Sequence, residues 1–223
     1  MGSSVWLGSG GTSHARNGVF PSGVLPRYPG GTFPAHAVGA RCESEGMSPV
    51  IALLRAANVG GRTIKAAQLR SAAEGLGHTE VATYVNSGNL VLVPAGAASD
   101  VGSGLSEALS AALGFDVPVL TRTLAQWDAI VDRLPFPDEA ESDPSHLVLY
   151  CWDGAPKDTS FDPTPYGNET VAFAGHEMYA YFPDGIGRSK LTLPMIEKST
   201  GRRGTARNWN TVLALQRLAR ERA

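Results

Sequence analysis

Four short stretches of the chain set glycines beside cations and small polar side chains, the residue types that hold an anion. The first runs from Arg55 through Asn58, Val59, Gly60 and Gly61 to Arg62. Paired glycines let backbone N–H groups approach a ligand closely, a helix start just beyond favours negative charge, and Arg62 and Lys65 add cations. The plainer reading is a tight turn with Thr63 as helix cap. The second, Asn86-Ser87-Gly88-Asn89, is a hairpin turn by its chemistry and a ligand site only where Ser87 or an asparagine points at one. The third, Asp184-Gly185-Ile186-Gly187-Arg188-Ser189-Lys190, combines two glycines with Arg188, Ser189 and Lys190 ahead of a helical segment, the composition of a phosphate cradle. Its alternative is a solvated loop in which Asp184 pairs with Arg188, worth about 0–1 kcal/mol. The fourth, Thr205-Ala206-Arg207-Asn208-Trp209-Asn210, opens the last helix with Asn208 as N-cap and Trp209 as core anchor. Arg207 and Asn210 are its ligand-facing candidates, with Arg202 and Arg203 nearby.

Other chemistry is not indicated. The sequence has no GxSxG elbow and no HExxH, and His78, His146 and His176 stand apart, so neither a triad nor a metal site is expected. Cys151 ends an apolar strand and reads as a small buried hydrophobe. No cofactor is implied.

The elements that must carry these loops follow from apolar spacing. Val50 to Leu54 is a continuous apolar run, the pattern of a strand covered on both faces. Leu69, Ala72, Ala73 and Leu76 form one helical stripe closed by Gly77. Val81 to Val85 and Leu90 to Val93 make a hairpin about Asn86 to Asn89. Leu105, Ala108, Leu109 and Ala112 mark a second helix stopped at Gly114, and Val117 to Thr121 a fourth strand. The order is βαββαβ, a ferredoxin-like arrangement. Beyond it, Thr123 caps a helix with Leu124, Trp127, Ile130, Val131 and Leu134 facing inward. Strands follow at His146 to Trp152, Thr170 to Ala174 and Glu177 to Phe182, then a short helix near Leu193 to Ser199 and a last helix from about Asn208. Strands and helices mix without steady alternation, so the class is α+β. No repeat at a fixed period is visible.

Composition sets the outer bounds. Residues 1–46 hold ten Gly, four Pro, six Ser and no Lys, a stretch that cannot bury enough surface to offset its ordering entropy. They are expected to be a disordered or upstream leader, with folding from Met47: a ferredoxin-like half over 47–122 and a second α+β half over 123–223 packed on it. The whole chain carries net −2, which argues against broad nucleic-acid or acidic-lipid affinity. No apolar run reaches about 18 residues, so a membrane partner is not expected. Two cysteines without metal-like spacing fit a reducing cytoplasm.

Leu54 to Arg62, Tyr84 to Asn89, Tyr181 to Leu191 and Thr205 to Val212, in this order, resemble the domain of unknown function 1697 family, uncharacterised bacterial proteins. The likeness spans Met47 to Ala223 and departs mildly at Ala56-Ala57, where members more often have Gly-Ile. It implies a fold and boundaries but no activity. Three functions remain in competition: binding of an anionic small molecule such as a nucleotide or phosphorylated metabolite; an acylphosphatase-like hydrolase with Arg62 and Asn86 as analogues by location; and RNA binding. The last lacks stacking aromatics on Asn89-Leu90-Val91-Leu92-Val93.

Overall fold

The computed structural model describes residues 48–55, 64–85 and 88–223. Strand β1 (Val50–Leu54) is buried along its whole length. Side chains alternate across a strand. Val50, Ala52 and Leu54 therefore enter one core, and Ile51 and Leu53 enter another. Helices α1 (Ala66–Gly75) and α2 (Val101–Leu113) cover the first of these cores with Leu69, Ala73, Leu105 and Leu109. Strands β2 (Thr79–Thr83), β3 (Asn89–Val93) and β4 (Val119–Thr123) complete an antiparallel sheet in the order β2-β3-β1-β4.

Thr123 ends β4 and caps α3 (Leu124–Asp132): its Oγ1 accepts from Gln126 N at 3.3 Å while Gln126 Oε1 accepts from Thr123 N at 2.9 Å. Two N-terminal donors are satisfied reciprocally, as a capping box requires. A short helix α4 (Pro137–Ser142) then leads to β5 (Leu147–Trp152), buried throughout. Strands β6 (Thr170–Ala174) and β7 (Glu177–Tyr181) form a hairpin. Helix α5 (Leu193–Thr200), β8 (Gly204–Asn208) and α6 (Trp209–Arg220) close the chain. The second sheet is antiparallel in the order β6-β7-β5-β8.

The two sheets share one core. Ile51, Leu53 and Val91 from the first meet Leu147, Leu149, Cys151 and Tyr179 from the second, with Trp127 and Ile130 of α3 and Trp209, Val212 and Leu215 of α6. Buried polar groups in it are paired: Trp127 Nε1 donates to Val212 O at 3.1 Å and Tyr179 Oη to Ile130 O at 2.6 Å. A third core, under Val148, Tyr150 and Trp152, lies on the far face of the second sheet with Ile196 of α5.

Strand order and register are the same in both sheets. In the first, Val50 faces Leu92 and Thr123; in the second, Val148 faces Ala180 and Asn208. Thus β1, β3, β4 and α3 correspond to β5, β7, β8 and α6, and the two N-caps, Thr123 and Asn208, coincide. Arg122 and Arg207 precede these caps and make matching bonds. Arg122 donates to Thr121 O, to Trp152 O and to Glu177. Arg207 donates to Ala206 O, to Leu54 O and to Asn89. Each arginine thus reaches across to the last residue of the other sheet's first strand and the first residue of its third. Such reciprocity is what an approximate two-fold axis produces. The second sheet has no counterpart of α1; residues 153–169 fill that place without a helix.

Several expectations are corrected. Thr205 to Asn208 does not open the last helix: it is edge strand β8, and α6 starts at Trp209. Gly, Ala and Asn are poor strand formers, and pairing to β5 overrides that preference. Strands β2 and β4 sit two residues away from their expected places, and α4 stands between α3 and β5, where no element was expected.

Candidate functional site

Of the residues singled out by sequence, Asn58, Gly60, Gly61, Arg62 and Ser87 lie outside the described residues. The other seven fall into two groups.

Arg55, Asn89, Arg207 and Asn210 belong to the β1–β3–β8 region. Arg207 is 9% exposed, and its five N–H donors are all used. Nε donates to Asn89 Oδ1, Nη1 to Thr205 Oγ1 and Ala206 O (both 2.7 Å), and Nη2 to Leu54 O (3.1 Å) and Gly88 O (3.2 Å). Burial pulls its guanidinium down to about 10. All of these acceptors are neutral, whereas its mate Arg122 pairs with Glu177 at 3.1 Å. Arg55 forks onto Glu197, with Nη2 2.9 Å from both carboxylate oxygens. Glu197 Oε1 also accepts from Gly204 N at 2.8 Å. These bonds lock the ends of β1, α5 and β8 together. Asn210 is exposed on the first turn of α6, where the cap is Asn208, whose Oδ1 accepts from Thr211 N at 3.0 Å.

Arg188, Ser189 and Lys190 line a pocket of about 230 Å³ with Tyr166, Glu169 and Phe182. Two linked turns shape it: Gly185 N donates to Phe182 O at 2.8 Å and Arg188 N to Gly185 O at 3.0 Å. Gly185 has φ +84, and a Cβ there would stand 3.2 Å from His146 Nε2, so the turn requires glycine. Asp184 does not pair with Arg188; it accepts from Asn168 Nδ2 at 3.1 Å. Arg188 and Lys190 stay exposed. Ser189 donates to Glu169 Oε1 and accepts from Leu191 N at 2.9 Å.

The two groups do not meet. Glu169 adjoins β6 and Arg207 lies on β8, opposite edges of one sheet, about 14 Å apart across three strand spacings.

A third arrangement was not anticipated. A groove of about 530 Å³ between the sheets is lined by Arg122, Gln126, Arg133, Asp153, His176 and Glu177. An arginine inside the Val119–Thr123 strand was the available signal. Among the described residues no group of His, Cys, Asp and Glu could hold a metal ion, and no helix is long and apolar enough to cross a membrane. Cys151 is buried and its thiol is pushed up to about 12 by that burial, so it stays protonated. The β3 face that would carry RNA bases is covered: Ile51, Leu53 and Val91 lie in the shared core.

A model of the family described as "Protein of unknown function (DUF1697)" matches residues 47–179. No curated protein matches the chain. A solved structure of a conserved bacterial protein, SP0830 from Streptococcus pneumoniae, is similar at a TM-score of 0.58 and 19% identity, over 78% of this chain and 99% of that one. At that identity the likeness concerns the fold.

Proposed function

The chain belongs to the DUF1697 family of proteins of unknown function, and we propose that it binds a small anionic ligand in the pocket of the 184–190 loop. The observation that carries this reading is the pairing of two exposed cations, Arg188 and Lys190, on one pocket of about 230 Å³. A guanidinium and an ammonium two residues apart hold a phosphate or carboxylate by charge-assisted bonds. Arg55 and Arg207 act differently in this account. Their donors are committed to Glu197 and to backbone and side-chain oxygens, so they are positioning residues for the strand ends rather than ligand contacts.

The order β2-β3-β1-β4, with α1 and α2 on one face, supports a ferredoxin-like reading of the first sheet. A cytoplasmic protein is the proposed setting. The hydrolase reading rests on Arg62 and Asn86, outside the described residues, and the RNA reading lacks an open sheet face.

Thermal stabilisation by inorganic phosphate tests the proposal. At about 100 times its dissociation constant a ligand adds about 2.7 kcal/mol of stability. The wild type should gain that stabilisation, and Arg188→Ala or Lys190→Ala should weaken it. No stabilisation, or one that both variants retain in full, would overturn the reading.

A further inference from the structure

Glu169 gives the same pocket a second chemistry. Its carboxylate is buried, 8% exposed overall, and lines the pocket with Arg188 and Lys190. Oε1 accepts from Ser189, but Oε2 is buried without a hydrogen-bond partner. An unsatisfied buried carboxylate oxygen is costly, and one in a native structure calls for a partner. Gly167 lets that oxygen sit close to the backbone: a Cβ there would stand 2.5 Å from Oε2. Tyr166 and Phe182 supply aromatic walls of the same pocket. A carboxylate flanked by aromatic rings is an environment for an ammonium group, through ion pairing and cation–π attraction. An anion alone would gain nothing from Glu169 and would be repelled by it.

Resting on the anion reading above, we propose that the natural ligand is a zwitterion, an aminoalkyl phosphate or carboxylate. Its ammonium docks on Glu169 Oε2 beside Gly167, and its anionic end on Arg188 and Lys190. Glu169 then selects among anions, while the two cations supply affinity. Ser189 fixes the carboxylate by donating to Oε1, which leaves Oε2 as the recognition atom.

The test is calorimetric titration of the intact protein with 2-aminoethyl phosphate and with ethyl phosphate, which differ in the ammonium group. The wild type should bind the amino compound at least about tenfold more tightly, the scale of one charge-assisted bond. Glu169→Gln keeps an acceptor for Ser189 and should erase the preference while ethyl phosphate still binds. Gly167→Ala, whose Cβ would push the Glu169 carboxylate out of place, should reduce the preference in the same way. Equal wild-type affinities, or a preference that survives in Glu169→Gln, would overturn the zwitterion inference. In each of those cases ethyl phosphate binding that depends on Arg188 and Lys190 would leave the anion site standing. Binding of neither compound would remove both.

Discussion

Arg122 and Arg207 hold matching places in the two sheets, yet their charges are met differently. Arg122 has the Glu177 carboxylate; Arg207 has Asn89 and backbone carbonyls. Neutral acceptors satisfy hydrogen-bond geometry but leave the charge to be stabilised by dipoles alone, which is why burial lowers the Arg207 pKa. Replacing Arg207 with Met orphans the buried Asn89 Oδ1, while Leu54 O keeps Thr205 Oγ1 and Gly88 O keeps Leu54 N as donors. At about 1–3 kcal/mol for that orphaned group, the loss should reach at least about 1 kcal/mol in urea unfolding. An unchanged midpoint would contradict this structural role. Sequence marked Arg207 as a ligand candidate because an arginine beside a helix start reads as an anion site. Three of its five acceptors come from far away in the chain, Asn89 being 118 residues distant, and no local pattern announces them. The Arg188–Lys190 loop was legible for the opposite reason. Its glycines, cations and hydroxyl are adjacent in sequence and stay so in the pocket.

At the scale of elements, apolar runs predicted β1, β3 and β5 because each is buried on both faces. Helix caps at Thr123 and Asn208 were legible from residue type. Strand β8 was not, since its buried face carries Thr205 and Arg207 in place of hydrophobes. What holds β8 is close contact at Gly204. A Cβ there would stand 2.4 Å from Trp152 Cε3 and 2.6 Å from Cys151 O, with backbone and a buried ring both unable to retreat. Gly204→Ala should therefore cost about 1–3 kcal/mol, the range for overpacking, and should alter the near-ultraviolet dichroism of the buried Trp152. Retention of both stability and that signal would show that β8 can move outward freely.

Across the whole molecule, the shared core joins both sheets through α3 and α6. Neither sheet can expose that core without cost, so unfolding should be a single cooperative transition. Tryptophan fluorescence and far-ultraviolet dichroism should give coincident urea curves; two separated transitions would mean that the sheets are independent units. The correspondence between the sheets escaped sequence reading because equivalent positions carry different residues, such as Asn89 with Glu177 and Thr123 with Asn208, and α1 has no counterpart. Register and reciprocal arginine bonds preserve the relation where residue identity does not. The account's central claim is that the 184–190 pocket, not the strand-end cluster, meets the anion. Calorimetric titration of inorganic phosphate into the wild type, the Arg188→Ala/Lys190→Ala double variant and Arg55→Ala tests it most directly. The account predicts that the double variant loses at least about tenfold in affinity, given about 1.5–3 kcal/mol for a charged hydrogen bond, while Arg55→Ala, once shown to be folded, binds as the wild type does. Equal binding by the double variant, or loss confined to Arg55→Ala, would contradict it.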